Sequence, residues 1–348
     1  MDRVSYIVRR LLLAFPTFIG ITLVCFSLTR FLPGGPVEMK ILRMKGGGAS
    51  QEAGAVSAAA KQVTDTYRRE LEAQFGFDKP IAVQYFNWLV KNKMGLTLSS
   101  YDYPNKTAWD LISSRLPVSI SFGLAAFFLT YLVCIPLGIA KALNHTKLFD
   151  AVSSFVVFAA YAIPSFALAM LLKTLFCGTV ESCWDIFPLG GISGDFDSEP
   201  TFFEFIVDRA RHMVLPLMCY VAGSFAMLTL LMKNSLLDQI SADYVRTVIA
   251  KGATRTRAVW AHALRNSLIP VATGLGPMIS LVFAGSIIIE TIFEIPGMGR
   301  LGWDALVGRD YAVFLALLAL TSIFQLVGNL ISDILYMFID PRIDFAKR

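Results

Sequence analysis

The sequence lacks the short motifs that many enzymes use for catalysis. No GxxxxGK[ST] segment occurs in its 348 residues, so we do not expect the chain to hydrolyse ATP through a phosphate-binding loop. HExxH and GxSxG are absent as well, and no apolar run carries paired carboxylates at helical spacing, which argues against an intramembrane hydrolase. We therefore expect a chain without its own enzymatic activity.

Cysteine and charge are also scarce. The five cysteines show no CxxC or Cys/His spacing, so we predict no metal site. Cys177 and Cys183 lie in a loop that we place outside the cytoplasm, where a disulfide is permitted although the spacing does not require one. Charged residues make up 16% of the chain and hydrophobic residues 55%. That balance is too apolar for an ordinary soluble domain of this size and predicts an integral membrane protein.

Six apolar runs are long enough to cross a membrane as helices. They comprise residues 11–32, 116–140, 151–176, 212–232, 268–293 and 312–339. The first run is longer than a signal-peptide core and has no small-residue cleavage site behind it, so we interpret it as an uncleaved span. Pro164 lies inside the third run and predicts a kink, because proline removes a backbone hydrogen bond and clashes with the preceding turn.

The spans divide the chain into three parts. Residues 1–32 form the N-terminus and the first helix, residues 33–115 form a long polar insertion, and residues 116–348 form a core of five helices. Within the insertion we predict short helices at residues 63–75, 81–94 and 107–114. Their aromatic side chains suit a membrane interface or packing against each other, and the functional alternative is the docking of a substrate-carrying partner. Lysine and arginine are concentrated in alternate short loops, which places both termini in the cytoplasm and the insertion outside.

The longest polar interruption of the second half covers residues 233–270. Ala242, Val245, Val248 and Ile249 fall on one helical face, and Gly252 follows where such a helix would end. A second short helix is predicted after a Thr254 cap, and the next span is predicted to begin at a cap formed by residue 266 or 267. Periodicity alone is compatible with any basic cytoplasmic loop.

The order of residues in this interruption is more specific. DYVRTVIAKG followed by HALRNSLIP resembles the coupling-helix motif of the membrane subunits of bacterial ABC importers, in the form of the dipeptide and oligopeptide permeases. The opening run, FGFDKPIAVQYFNWL, GSIIIETIFEIPGMGRL and DPRIDF resemble the same family. The resemblance implies an all-α type I importer permease of six transmembrane helices in the bacterial inner membrane, with a large periplasmic insertion after the first helix. The residues that would contact a separate ATPase are Asp243, Tyr244, Arg246, Thr247, Ala250, Lys251 and Gly252.

The segments that most resemble the B-type subunits of Yej peptide uptake systems, which also admit microcin C, are GGPV, FGFDKP, FPLGG, FDSEP, LTLLMKNSLLDQI and DPRIDF. The resemblance implies that a second permease subunit, one or more ATPase subunits holding ATP and Mg²⁺, a periplasmic peptide-binding protein and a peptide substrate act with this chain by alternating access. Another solute, such as nickel or a glycoside, remains an alternative. An ion-coupled secondary transporter is a weaker one, because the spans contain few residues that could bind an ion.

Those few polar residues are candidates for the translocation pathway. Gln325, Asn329 and Asp333 recur every four residues and form one stripe, which must face protein or water. Hydrogen bonding between helices is the alternative explanation of the stripe. Glu290 resembles a family position near the pathway, and plain interfacial placement is its alternative.

Overall fold

The computed structural model describes residues 3–31, 78–178, 184–194, 200–274, 282–283 and 285–339. Within these ranges every regular element is helical, and the extended contacts are two isolated bridges, Ser99 with Thr107 and Cys177 with Asp185. The helices are α1 Arg3–Phe31, α2 Ile81–Phe86, α3 Ala108–Leu143, α4 Leu148–Ala162, α5 Ser165–Phe176, α6 Phe202–Ser241, α7 Asp243–Ala250, α8 Arg255–Ala258, α9 Leu264–Thr273, α10 Ile287–Ile292, α11 Met298–Val307 and α12 Tyr311–Ile339. Two π-helical turns, Asn87–Lys91 and Val259–Ala263, continue α2 and α8. The helix predicted at residues 63–75 lies outside the described residues.

Four described helices are long and apolar enough to cross a membrane. They contain the segments Tyr6–Phe31, Ala108–Leu143, Phe202–Ser241 and Tyr311–Leu335. The pair α4 and α5 passes the same test only when taken together, with a bend of 95° between the two helices. The all-α membrane fold is thus confirmed, whereas the count of six spans stays a prediction.

Pro164 accounts for that bend. It occupies the position before α5 with ψ of 139°, and Ile163 before it is extended with φ of −81° and ψ of 120°. A residue that precedes proline is kept out of the helical region by contact with the proline ring. The predicted kink is therefore confirmed, and it is a complete break of the helix.

Two long helices extend beyond the spans predicted for them. Helix α3 begins at Ala108, so the short helix predicted at residues 107–114 is its first part. Helix α6 begins at Phe202, because Thr201 and Glu204 form a reciprocal capping box in which Glu204 Oε2 accepts from the Thr201 backbone N–H at 2.9 Å. The same helix runs to Ser241, which makes residues 233–241 of the predicted loop helical.

The fifth predicted span is not one continuous helix. Helix α9 ends at Thr273, residues 275–281 and 284 lie outside the described residues, and α10 begins only at Ile287. Gly285 has φ of +70° and Ser286 is extended with φ of −130°. Residues 285 and 286 therefore interrupt the helix, because a positive φ belongs to the left-handed region that glycine adopts readily.

Packing divides the chain into two units. The larger one comprises residues 1–12, 115–300 and 324–348. Its apolar core has two parts: one surrounds Phe122, Leu215 and Phe293, and the other surrounds Met232 and Leu236 at the end of α6 that leads into α7.

The smaller unit comprises residues 13–114 and 301–323. Phe26 packs against Trp88 with ring centroids 5.6 Å apart, and Tyr311 and Leu315 of α12 complete this cluster. Asp310 caps α12, since its Oδ1 accepts from the Val313 backbone N–H at 3.3 Å.

Candidate functional site

A short amphipathic helix follows the end of the long helix α6. The break between α6 and α7 is at Ala242, whose ψ of 147° is extended, and α7 then covers Asp243–Ala250. Gly252 has φ of +94°, and Thr254 caps α8 by accepting from the Arg257 backbone N–H at 3.3 Å. The predicted amphipathic helix, the role of Gly252 in ending it and the Thr254 cap are all found in the structure.

One side of α7 is buried against the core of the larger unit. Val245 is 2% exposed and belongs to the same cluster as Leu236 of α6 and Ala258 of α8, with Val248 partly buried beside it. Burial of an apolar stripe is what holds so short a helix in place, because eight residues are too few for a stable isolated helix. Ile249 was predicted on this side, but it is 41% exposed. The buried stripe passes through Val245 and Val248 and leaves Ile249 on its outer edge.

The residues predicted to contact an ATPase lie outside the buried stripe, on α7 and in the turn that follows it. The seven exposed residues are Asp243, Tyr244, Arg246, Thr247, Ala250, Lys251 and Gly252. The only ion pair among them that the described contacts include joins Asp243 to Arg246 at 3.5 Å, and both side chains are more than 70% exposed. Such a pair contributes little to stability. The surface is therefore accessible and its charges are solvated.

Tyr244 fixes the orientation of α7 through hydrogen bonds that the sequence analysis did not anticipate. Its hydroxyl donates to Gln239 Oε1 in α6 at 2.8 Å and accepts from Asn266 Nδ2 in α9 at 3.1 Å. The prediction that residue 266 or 267 begins the next span is wrong, since both lie inside continuous helical backbone that starts at Arg255. Asn266 instead connects α9 to the short helix.

A cluster of buried charges lies at the same end of α6. Asp150 of α4 accepts from Lys233 at 2.8 Å and lies 3.2 Å from Lys141 of α3, a side chain that is fully buried. His145 Nδ1 lies 3.3 Å from the same carboxylate. Sequence reasoning assigned Lys141 and Lys233 only to the cytoplasmic ends of spans. A lysine in the last turn of an apolar helix followed closely by an aspartate was the available signal.

Glu290 lies in a closed cage rather than at an open interface. Its carboxylate accepts from the backbone N–H groups of Arg300 at 2.7 Å and Ser286 at 3.2 Å, and from the hydroxyls of Ser119 and Tyr220 at 3.4 Å each. The residue is 1% exposed. Gly285 and Gly297 lie so close to the carboxylate that a Cβ atom on either would collide with it, and a Cβ atom on Gly299 would collide with the backbone of Ser286 and Ile287. In this conformation Glu290 holds the turn after α10 and does not face a passage.

The polar stripe of α12 has a different environment. Gln325 Nε2 donates to Asn329 Oδ1 at 3.1 Å within the helix, and both side chains are exposed. Asp333 pairs with Arg10 of α1, with Nε 3.1 Å from Oδ2. The predicted stripe is therefore present. Two of its three members face outward from the chain.

Comparison with known proteins assigns the chain to a family. The family model described as "Binding-protein-dependent transport system inner membrane component" matches residues 134–345, which is more than half of the chain. The chain belongs to this family. The matched range contains the α7 surface, the Asp150 cluster, Glu290 and the α12 stripe, so the candidate residues fall within the shared part of these inner-membrane permeases.

Several relatives cover nearly the whole chain. This chain is 37% identical over 363 residues to the peptidoglycan transport system permease protein YejB of Agrobacterium fabrum, with 99% of each chain covered. It is 38% identical over 369 residues to the inner membrane ABC transporter permease protein YejB of Escherichia coli O157:H7, covering 99% of this permease and 100% of the relative. The oligopeptide transport system permease protein AppB of Bacillus subtilis is 32% identical over 341 residues, with 98% and 99% covered.

Two further predictions concern a disulfide and the absence of a metal site in the permease. Cys183 lies outside the described residues, so its pairing with Cys177 stays a prediction. In the part of the chain that the structure describes, no group of three or more histidine, cysteine, aspartate or glutamate side chains is arranged to hold a metal ion.

Proposed function

We propose that this permease is the membrane subunit of an ATP-driven importer of oligopeptides, and that the exposed side of α7 is the surface on which a separate ATPase acts. The observation that carries the proposal is the division of α7 into two sides. All seven residues assigned to ATPase contact are exposed, while Val245 anchors the helix in the core of the larger unit. A docking helix needs both properties, because it must be reachable and must also transmit force.

Force applied to α7 would reach the membrane through α6. The Tyr244 hydroxyl connects α7 to Gln239 of α6 and Asn266 of α9, and the buried Val245 contacts the cluster around Leu236. Helix α6 is continuous over 40 residues from this point. A displacement of α7 is then transferred to α6, and the cavity of the importer opens alternately to each side. Nucleotide and Mg²⁺ would be held by the ATPase subunits, with this chain binding neither.

The translocation pathway would run past the outward-facing part of α12. Amide side chains are rare on apolar helices, and those present face protein or water. Gln325 and Asn329 face outward from this chain in the structure, so a second permease subunit placed opposite them would enclose a polar surface. Glu290 is less suited to direct contact with substrate, since its carboxylate is already fully hydrogen-bonded.

The proposed cargo rests on the relatives. Their names refer to oligopeptide, dipeptide and peptidoglycan transport. We therefore propose peptides as the substrate class, delivered by a periplasmic binding protein, and include peptide antibiotics such as microcin C. The cargo assay measures uptake by the reconstituted transporter of an oligopeptide, a peptidoglycan-derived peptide, microcin C and Ni²⁺. Uptake of Ni²⁺ alone would contradict the assignment.

Co-purification tests the docking surface. We expect an ATPase encoded beside this permease to elute with it, and expect Arg246→Glu combined with Lys251→Glu to abolish that association. The matched control, Lys79→Glu with Lys106→Glu, makes the same charge change at two exposed lysines of the insertion and should leave it intact. Peptide uptake by the permease without ATP would refute the proposal in favour of a secondary carrier.

A further inference from the structure

A groove of about 700 Å³ opens beside the short helix α8 and plays no part in the proposed transport mechanism. It lies in the larger unit between the end of α3, the last turns of α6 and the start of α8. Ile240, Leu237 and Trp260 contribute apolar walls. A groove of this size accommodates a small-molecule ligand or part of a lipid.

The polar lining of the groove is cationic. Lys147, Arg255 and His145 line it, together with the hydroxyl-bearing Thr256, and none of its lining residues is acidic. Lys147 and Arg255 are exposed, and within the described ranges neither forms an ion pair with a carboxylate. The Lys147 ammonium group donates to Asn144 Oδ1 at 3.2 Å. His145 differs, since it contacts Asp150. Two cations therefore remain available to an anionic ligand.

The surroundings of the groove indicate the depth of lipid headgroups. Leu143 is the last residue of α3 and Leu148 the first of α4, so Lys147 lies in the turn that joins these two apolar helices. Leu143 is 43% exposed, Leu148 is 79% exposed and Trp260 is 51% exposed. Exposed aliphatic side chains next to a lysine and a tryptophan are typical of the boundary between hydrocarbon and water.

We propose that this groove binds the headgroup of one anionic phospholipid. Lys147 and Arg255 hold the phosphate, and Trp260 and the neighbouring leucines contact the glycerol and the first acyl carbons. Cationic pockets between helix ends are a common way for membrane proteins to select anionic lipids. The charges favour a lipid over a docked apolar segment, and the exposed aliphatic rim favours a lipid over a free anion. The inference is independent of the cargo and of the ATPase.

Fluorescence quenching tests the site in the full-length chain reconstituted in nanodiscs. The signal of Trp260 is isolated from that of the other four tryptophans by subtracting the spectrum of the Trp260→Phe variant. Acyl-brominated phosphatidylglycerol and acyl-brominated phosphatidylcholine are titrated in turn. We expect stronger quenching by phosphatidylglycerol, and expect the preference to fall roughly fivefold for each cation removed, on the order of 25-fold for Lys147→Gln with Arg255→Gln.

The control variant is Lys79→Gln with Lys106→Gln, which removes two exposed lysines far from the groove in sequence and should retain the preference. Equal quenching by the two lipids, or the same loss in both double variants, would overturn the proposal. Inorganic phosphate that relieves the quenching at millimolar concentration would show a site for the free anion and would also overturn it. Shielding of Trp260 by a co-purified ATPase, lost in the groove variant, would assign the groove to a protein contact instead.

Discussion

The Lys233 ammonium group lies 2.8 Å from both carboxylate oxygens of Asp150 and so joins α6 to the first turn of α4. The Asp150 side chain is 9% exposed and that of Lys233 is 12% exposed. Lys141 of α3 contacts the same carboxylate, is fully buried, and also donates to Ser153 and Ser154 at 2.9 and 2.7 Å. The carboxylate of α4 thus balances two largely buried cations, one on α3 and one on α6. The cluster lies close to the point where α7 begins.

Neutralising Asp150 should therefore destabilise the permease. In Asp150→Asn the two lysines lose their counter-charge while they remain buried, and removal of one partner of a buried ion pair costs about 3–5 kcal/mol. We expect a clearly lower apparent melting temperature in detergent and a reduced yield of monodisperse protein. The control is Asp238→Asn, an exposed aspartate of α6, which should melt like the parent. Equal melting of the two variants would show that the cluster contributes nothing.

The contact of both lysines with one aspartate was not predicted from the sequence. The positions of Lys141 and Lys233 just after predicted apolar runs are apparent in the sequence and predict interfacial residues. Their common partner depends on the packing of α4 against α6, and α4 ends at the 95° break at Pro164. Proline chemistry predicts a break, but its angle depends on packing. The amphipathic character of α7 was predicted for the opposite reason, because helical periodicity around Val245 already separates a buried side from an exposed side.

Gly252 provides a test of backbone conformation in the proposed coupling segment. Its φ is +94°, and a Cβ at this position would meet no atom within 4 Å. A steric clash therefore cannot explain the expected effect of Gly252→Val. The effect comes from backbone strain of about 1–3 kcal/mol. We expect transport to fall at least tenfold, with normal membrane insertion.

Two controls separate strain from side-chain size. Asparagine tolerates the left-handed region better than other non-glycine residues, so Gly252→Asn should retain most of the transport activity. Gly20→Val introduces the same side chain at an open helical position without positive φ and should leave transport unchanged. Transport assays on proteoliposomes give the comparison. Full activity of Gly252→Val would rule out a coupling role for this turn.

The glycines around Glu290 predict a steric interaction that a double-mutant cycle can measure. A methyl group at Gly297 would overlap the Glu290 carboxylate, so Gly297→Ala should destabilise the permease by about 2 kcal/mol. Gly302→Ala is the control, since its new methyl group would lie 4.0 Å from Leu317. Glu290→Ala removes the obstacle, so the two changes together should cost less than their sum. Strict additivity in thermal unfolding would contradict this packing.

The fifth span shows why the surroundings of Glu290 were not predicted from the sequence. The apolar run 268–293 reads as one helix from composition, and a glutamate near its end then suggests an interface. The break at Gly285 and Ser286 turns α10 so that the carboxylate meets the backbone N–H groups of Ser286 and Arg300. A hydrogen bond between a side chain and a backbone N–H ten residues away produces no periodic pattern in the sequence, so it could not be predicted.

We expect substitutions in the α12 stripe to reduce transport without changing stability. Gln325 and Asn329 are hydrogen-bonded to each other and exposed, so Gln325→Leu with Asn329→Leu removes no contact to another described helix. The melting temperature of the chain should be unchanged, because interhelical polar contacts in membranes contribute only about 0.6 kcal/mol on average and none is lost here. We expect peptide uptake to fall on the order of tenfold if the stripe lines the polar pathway.

The control for the stripe lies on the same helix. Val327 is 44% exposed, and Val327→Leu changes volume without changing polarity. It should transport like the parent while still associating with the second permease subunit and the ATPase. Loss of that association in the double leucine variant would assign the stripe to the interface between permease subunits. Unchanged peptide uptake by the double leucine variant would exclude the stripe from the pathway. If the stripe lined the pathway, replacing both amides with leucine would leave the substrate facing an apolar wall.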